Sequence, residues 1–320
     1  MLYSFVKIIA RLALPIYCRN IAINRKEFLK HKGPLMLAVN HPNSFLDAVI
    51  LCTLFDKPVY SLARGDAFKK RFFARVLSSF KMFPVYRVSE GVENLEENYK
   101  TFEQCKDIFK QGGIVLIFSE GKCINEWHLR PLKKGTARLA ISSWQEGIDI
   151  KILPVAINYS SFKVFGKNVK LFFGDIITKE DIDYNDSHGN AIKQFNEILK
   201  TQLIKYVFEI ASNDKEKLKE NFYIQQPGLK KIALFIPATL GFLIHTPLYY
   251  FARWLGNVIN NETEHYDSKL VGLLFILYPV FLLVTSCLVF FFTGSLLSFM
   301  SLLLAPFTAW SYIQIKRQLD

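Results

Sequence analysis

The residues with the clearest chemical potential follow a short apolar run. Leu35–Val39 predicts a buried strand, and residues 40–47 then read Asn-His-Pro-Asn-Ser-Phe-Leu-Asp. A polar cluster between a strand and a helix is a common place for active sites in open α/β sheets. We expect Asp47, about one turn into the helix, to reach back to the imidazole of His41 and hold its tautomer. The imidazole would then act as a general base that takes a proton from a hydroxyl group.

The same residues are equally compatible with a structural role. Asn43 or Ser44 could cap the following helix, with His41 a hydrogen-bonded structural histidine. Ser44 as a protein nucleophile is a weaker third hypothesis, because no glycine-flanked nucleophile elbow surrounds it.

A second polar cluster follows the apolar run Ile114–Phe118. Glu120, Gly121 and Lys122 offer an acid, a flexible glycine and a base, which suits an anion site, although an ordinary turn has the same composition. A basic segment precedes this cluster in the chain and fits a surface that meets acidic lipid head groups. Its members are Arg64, Lys69, Lys70, Arg71, Arg75, Lys81 and Arg87.

Strand-like and helix-like runs alternate between residues 30 and 225, which predicts one α/β domain, a sheet with flanking helices. The predicted strands are Leu35–Val39, Val59–Ala63, Met82–Tyr86, Ile114–Phe118, Ile152–Ile157 and Val169–Phe173. The predicted helices are Glu90–Phe109, Lys133–Trp144 and Ala191–Ala211. A segment of this size can bury a core of its own.

Residues 226–320 have the composition of a membrane region. From Leu270 to Ile315 no residue is charged, and the run is long enough for two crossings of about 20 residues each. Gly294 lies near its middle and basic residues flank it, so we predict a transmembrane helical hairpin with both ends in the cytoplasm. The uncharged run Ile232–Ala252 contains two prolines and is expected to be re-entrant or tilted, because a third crossing would put the basic C-terminal end outside.

Residues 1–29 are predicted to form a membrane-associated N-terminal helix. Apolar residues dominate up to Ile23, but Lys7 and Arg11 interrupt them on one helix face. This pattern is typical of a helix that lies in the membrane interface with its basic side chains toward the lipid head groups. A signal peptide fits less well, because Arg11 breaks the apolar stretch.

The composition excludes several classes of protein. The chain is 51% hydrophobic and 15% aromatic, unlike a disordered chain. Five cysteines without a CxxC pair form neither a disulfide framework nor a cysteine-rich zinc site. The net charge of +12 suits a membrane surface or nucleic acid, but no nucleic-acid motif accompanies it, so no nucleic-acid partner is expected.

Four blocks of this sequence resemble the glycerolipid acyltransferases, the family of the lysophosphatidic acid (PlsC-type) and glycerol-3-phosphate acyltransferases. In order, they are Asn40-His41 with Asp47, Pro84-Val85-Tyr86-Arg87, Phe118-Ser119-Glu120-Gly121 and Leu153-Pro154-Val155-Ala156-Ile157. Each block alone is a weak signal, but four in this order are specific. The resemblance covers roughly residues 30 to 210 and includes the stretch from Leu132 to Ala140.

The resemblance implies an O-acyltransferase of phospholipid biosynthesis. It would move a fatty acyl group from acyl-CoA or acyl carrier protein to a hydroxyl of a glycerophospholipid precursor. His41 is implied as the base and Asp47 as the residue that orients it, with no metal and no cofactor besides the acyl donor. The implied partners are membrane lipids and the donor, and the implied location is the cell membrane with the catalytic domain facing the cytoplasm.

The resemblance also implies the substrate-binding residues. Arg87 and Lys122 would bind the acceptor phosphate, and Glu120 and Gly121 would shape that pocket. Pro154 would help to form the acyl or acceptor site.

Two departures from the family pattern leave the acceptor open. The family usually has four residues between the His and the Asp, but five separate His41 from Asp47, and one extra residue rotates a helical side chain by about 100°. The third block usually reads Phe-Pro-Glu-Gly-Thr-Arg, but here Ser119, Lys122 and Cys123 replace its Pro, Thr and Arg. We favour 1-acyl-sn-glycerol-3-phosphate as acceptor. The alternatives are glycerol-3-phosphate, another lysophospholipid, or a non-catalytic lipid-binding protein on the same fold.

Overall fold

The computed structural model describes residues 2–86, 95–184, 187–259 and 265–319. The strands are β1 Cys18–Ile23, β2 Leu35–Val39, β3 Val59–Arg64, β4 Met82–Val85, β5 Ile114–Phe118, β6 Lys151–Tyr159 and β7 Lys167–Phe173. The helices are α1 Leu2–Tyr17, α2 Phe45–Leu54, α3 Arg71–Ser79, α4 Leu95–Lys110, α5 Lys134–Gln145, α6 His188–Ile204, α7 Lys215–Phe222, α8 Gly228–Ile259, α9 Tyr266–Thr293 and α10 Ser301–Ile315.

The strands form one sheet in the order β1-β7-β6-β2-β5-β3-β4. Strand β2 lies near the centre and pairs in parallel with both β5 and β6. Strands β3 and β4 extend the parallel part, whereas β7 runs antiparallel to β6. All five residues of β2 are buried, as expected for a parallel strand covered by helices on both faces. The predicted α/β sheet with flanking helices is confirmed.

The two faces of the sheet carry separate hydrophobic clusters. One cluster packs α4, α5 and α6 onto the sheet through residues such as Phe109, Trp144 and Phe195. The other packs α1 and α2 onto the opposite face, with Tyr17 and Phe55 among its buried residues. The sheet is therefore held rigidly from both sides, and its strand ends are fixed points for a site.

Strand β1 is an addition to the predicted sheet. Residues 18–23 were expected to belong to the N-terminal membrane-associated segment, but they pair in parallel with β7 at the sheet edge. The expected interfacial helix therefore ends at Tyr17. The first two residues of β1, Cys18 and Arg19, are buried. The guanidinium of Arg19 donates to the carbonyl oxygens of Ile313 and Lys316 at 2.9 and 2.8 Å.

Helix α1 has one exposed apolar face and one basic face. The apolar face consists of Leu2, Phe5, Ile8 and Leu12, each at least half exposed. Lys7 and Arg11 were expected to point toward lipid head groups, but both side chains point toward α2. Lys7 donates to the carbonyl of Phe55, and the Arg11 Nε donates to the carbonyl of Thr53 at 2.8 Å. Both side chains satisfy carbonyls at the C-terminal end of α2, which lack partners within that helix and carry a partial negative charge.

The C-terminal residues form the predicted helical hairpin. Helix α9 ends at Gly294, which has the left-handed φ of 62°, and α10 returns after a short 3₁₀ segment. By length and composition α8, α9 and the segment Leu296–Ile315 are each able to cross a membrane. Many of their large apolar side chains are exposed, including Phe291 and Phe292 at about 80%. The chain is therefore membrane-associated.

Helix α8 continues through both prolines that were expected to weaken it. A break would leave backbone groups without partners in an apolar surrounding, which costs more than a proline inside the helix. At its start, Lys230 donates to Gln314 at the end of α10 at 2.7 Å. At its other end, residues 260–264 connect it to His265, which contacts the catalytic domain. Both ends of α8 thus lie at the domain, and a re-entrant or tilted position of this helix in the membrane stays a prediction.

Candidate active site

The site begins where β2 ends. The side-chain amide of Asn40 donates to the carbonyl of Ile157 at 3.1 Å and accepts from the Ile157 N–H at 2.8 Å. The amide thereby continues the β2–β6 ladder by one side chain and fixes the point at which the chain leaves the sheet. Because the connection from β2 runs toward β3 and that from its neighbour β6 runs toward β7, in opposite directions along the sheet, the carboxyl end of β2 faces a crevice of the kind that binds ligands in open α/β sheets.

His41 and Asp47 lie in direct contact. The Nδ1 atom of His41 is 2.9 Å from Oδ2 of Asp47, whose side chain is fully buried. The imidazole retains 16% exposure and stacks on the Phe118 ring with centroids 3.7 Å apart. Nδ1 is therefore committed to the carboxylate, and Nε2 is the ring nitrogen that remains for a substrate.

Two further donors hold the Asp47 carboxylate. The backbone N–H of Asn43 donates to Oδ2 at 2.8 Å, and the hydroxyl of Tyr159 donates to Oδ1 at 2.7 Å. Burial, together with the nearby charge of Asp47, raises the pKa of Tyr159 well above its ordinary value, so the phenol keeps its proton and remains a donor. Tyr159 was missed by sequence reasoning. The available signal was that a buried aspartate needs several donors.

Ser44 absorbs the extra residue between His41 and Asp47. Its backbone has φ 55° and ψ −138°, a conformation that side chains rarely adopt, and α2 starts at the next residue. Neither of the expected capping side chains caps the helix. The N–H of Ser44 instead donates to the Cys123 sulfur at 2.9 Å, and its hydroxyl is 2.5 Å from Nδ1 of His265.

Glu120 turns inward and braces the loop that carries His41. Its two carboxylate oxygens accept the backbone N–H groups of His41 and Arg130 at 2.9 and 3.1 Å. Burial raises the pKa of Glu120, and the two backbone hydrogen bonds offset part of that rise. The carboxylate is thus occupied by the protein backbone, and it shapes the site indirectly.

The remaining predicted substrate-binding residues do not form one cluster in the part of the chain that the structure describes. Gly121 follows Glu120 in a turn with φ 66°, and the Lys122 side chain beside it is exposed. Pro154 is buried inside the sheet, where it pairs with Ala38, and does not reach the level of His41. Arg87 lies outside the described residues.

A basic cleft adjoins this site through Arg130. It has a volume of about 710 Å³ and lies between the segment after β5 and helix α6. Its charged lining residues are Arg130, Lys134, Lys193, Lys200, Glu197 and Glu209. Cations therefore outnumber anions in the lining, and the cleft favours an anionic group.

Comparisons with known proteins agree with the residue blocks. Residues 20–158 match the family model described as Acyltransferase. No curated protein matches the sequence. Among solved structures, the chain is similar to the 1-acyl-sn-glycerophosphate (LPA) acyltransferase PlsC from Thermotoga maritima. That similarity has 14% identity and a TM-score of 0.45 over 63% of this chain and 78% of the other. The matched residues contain His41, Asp47 and Glu120, and residues 20–158 accordingly form a domain of the acyltransferase family.

Proposed function

We propose that this acyltransferase moves a fatty acyl group from acyl-CoA or acyl carrier protein to the free hydroxyl of 1-acyl-sn-glycerol-3-phosphate. The observation that carries the proposal is the His41–Asp47 contact of 2.9 Å. That distance lies inside the range of about 2.6–3.2 Å for an oriented catalytic base.

The proposed reaction uses His41 as base and then as acid. Nε2 of His41 takes the proton of the acceptor hydroxyl while the hydroxyl oxygen attacks the thioester carbonyl carbon. The carbon–sulfur bond then breaks, and the leaving thiolate takes the proton back from the imidazolium. Asp47 holds the tautomer that leaves Nε2 free to accept and stabilises the positive ring. The donor's thiol is the leaving group, so we propose no metal or other cofactor for this step.

The proposed substrate contacts follow the charge distribution. Lys122, beside the turn at Gly121, would bind the acceptor phosphate, and Arg87 is proposed for the same role from its place in the sequence. The basic cleft supports an anionic donor, because both CoA and the phosphopantetheine of a carrier protein bring phosphate. Pro154 is proposed only as a residue of the sheet beneath the acyl site.

Two features of the sequence favoured a non-catalytic protein: the extra residue between His41 and Asp47, and Cys123 in the third block. The local geometry gives each of them a role that is compatible with catalysis. The extra residue is absorbed at Ser44, and Cys123 serves as the acceptor for the Ser44 N–H. Both departures from the family pattern leave the His41–Asp47 contact intact.

A donor-by-acceptor matrix on purified full-length protein tests the proposal. Acyl-CoA and acyl carrier protein are each combined with lysophosphatidate, glycerol-3-phosphate and a zwitterionic lysolipid, and the acylated product is measured by mass spectrometry. We expect transfer to lysophosphatidate, and a lower rate for Lys122→Met than for the control Lys163→Met, which lies in the loop between β6 and β7. Transfer to zwitterionic lysolipids alone would refute the phosphate pocket.

A further inference from the structure

The start of membrane helix α9 is built into the site. Asp267 lies in the first turn of α9 and is 1% exposed. Its Oδ2 accepts the side-chain N–H of Asn43 at 2.9 Å and the hydroxyl of Tyr17 at 2.6 Å. The ammonium of Lys167, also 1% exposed, forms an ion pair with the same carboxylate. Lys167 and Asp267 both lie beyond the residues that the family model matches.

The effect of a buried ion pair on stability does not by itself explain why the protein contains one here. Removing two charges from water costs several kcal/mol per ion, and the mutual attraction often only offsets that cost. Burial lowers the pKa of Lys167, and the Asp267 charge opposes that shift. What the pair does provide is a fixed position, since a buried carboxylate has few alternative partners.

A chain of hydrogen bonds leads from Asp267 to the proposed base. Asp267 holds the side chain of Asn43, and the backbone N–H of Asn43 holds Oδ2 of Asp47. The same Asp47 oxygen contacts Nδ1 of His41. A second tether, from His265 to the Ser44 hydroxyl, joins the same loop to the same end of α9.

We propose that Asp267 is a positioning residue for the acyl transfer. Through Asp267, the start of membrane helix α9 holds the loop between β2 and α2 that carries His41. The inference rests on the proposed function, because it gives Asp267 the task of orienting the His41–Asp47 pair. Asp267 has no contact with substrate in this arrangement. It acts through Asn43 by holding the loop in the geometry that the base requires.

Two matched double variants separate positioning from charge. Asp267→Leu/Lys167→Met removes both charges and the acceptor of Asn43. Asp267→Asn/Lys167→Met removes the same charges but keeps an acceptor oxygen. Replacing a buried ion pair by apolar groups is often neutral for folding, so both proteins are expected to fold. Melting temperature and elution volume in detergent check this, and rates are expressed per folded enzyme.

The expected result is a split between the two variants in kcat alone. The Leu variant loses about tenfold or more in kcat, since small misplacements of a catalytic group have large effects. The Asn variant stays within about threefold of the wild type, because it keeps the acceptor for Asn43 and with it the position of the base. KM for donor and acceptor is unchanged in both. A purely structural role would lower the melting temperature without this split, and a folded Leu variant with wild-type kcat overturns the proposal.

Asn43→Ala provides a test that does not depend on those variants folding. It removes the donor from the other side and leaves no buried charge unpaired. We expect a similar loss of kcat, and little further loss when the Leu double variant is added, because both changes break one chain of contacts. Wild-type kcat in Asn43→Ala overturns the inference. His41→Ala in the same assay keeps the two proposals apart, because full activity there contradicts the function, whereas full activity in Asn43→Ala contradicts only the positioning.

Discussion

At the scale of single residues, the site depends on how the buried Asp47 carboxylate is satisfied. It accepts hydrogen bonds from an imidazole, a backbone N–H and a phenol, and each of these contacts fixes its direction. A carboxylate held in this way presents one geometry to His41. Preorganisation of this kind lowers the barrier because little has to move when charge develops on the ring.

Tyr159→Phe tests that arrangement. The change leaves one oxygen of a buried charged group without its donor, so we expect a loss of about 1.5–3 kcal/mol in the free energy of unfolding. The control is Tyr60→Phe, because the Tyr60 hydroxyl bonds to Lys81 at a partly exposed position. Chemical unfolding in detergent measures both, and equal losses in the two variants would contradict the role given to Tyr159.

Glu120→Gln tests the raised pKa of Glu120. Because the folded protein holds the proton of Glu120 more tightly than the unfolded chain does, this group favours folding at low pH. That contribution is fully present below about pH 4.5, the ordinary value, and is lost as the pH rises through the folded pKa. The melting temperature of the wild type relative to the variant should therefore fall as the pH rises above about 4.5. A constant or rising difference would contradict the shift.

The sequence predicts some of these residues and not others, for a physical reason. His41, Asp47 and Glu120 follow strand-like runs, so the parallel sheet brings them to one edge. Tyr159 and Asp267 reach the site only through long-range packing, and no local pattern reports such contacts. Asp267 stands at the head of an apolar run, where its charge is notable, but its partner Lys167 is a hundred residues away.

At the scale of elements, the turn between β2 and α2 carries backbone strain. Ser44 has φ 55°, which glycine adopts at no steric cost. Both its N–H and its hydroxyl are held by groups from other elements, Cys123 and His265. The strain is thus maintained by the surrounding structure, as is common at functional sites.

Comparison of Ser44→Gly with Ser44→Ala measures this strain. Both variants lose the hydroxyl, so their difference isolates the backbone. We expect the Gly variant to be more stable than the Ala variant by about 1–3 kcal/mol. Ser142, inside α5, is the control, because there Ala should be the more stable by about 0.5–1 kcal/mol. The same sign at both positions would contradict the strain.

Two elements show where sequence patterns fail. Strand β1 is short, follows a helix directly and pairs with β7, which lies about 150 residues later in the chain. The local sequence pattern therefore does not predict this pairing. In α8 the prolines suggest a break, but the apolar surrounding keeps the helix continuous. By contrast β2 and β5 have the predicted bounds, because buried parallel strands are continuous apolar runs between turns.

At the scale of the whole molecule, three ends of the membrane helices lie together on the side of the catalytic domain. The start of α8, the start of α9 and the end of α10 all contact the catalytic domain or one another. The α9–α10 hairpin then points away from the domain, with Gly294 at its far end. We propose that the domain side is cytoplasmic, following the basic residues at these ends.

Cysteine labelling tests that orientation. Arg317→Cys and Ser295→Cys are each made in a Cys287→Ser background and treated with an impermeant maleimide. In inside-out vesicles of the cell membrane we expect Arg317→Cys to react and Ser295→Cys to be protected, and the reverse in right-side-out vesicles. Reaction of both positions from the same side would contradict the hairpin.

The central claim is that His41 is the base of an acyl transfer, and the most direct measurement is kcat/KM for His41→Ala beside His31→Ala. His31 precedes β2, at the end of the strand opposite His41, and its Nδ1 accepts the backbone N–H of Gly33 at 3.0 Å. With acyl-CoA and acyl carrier protein as donors, we predict that His41→Ala loses activity by about 10²-fold or more while remaining folded. His31→Ala should keep the wild-type rate. Full activity of folded His41→Ala with either donor would contradict the account.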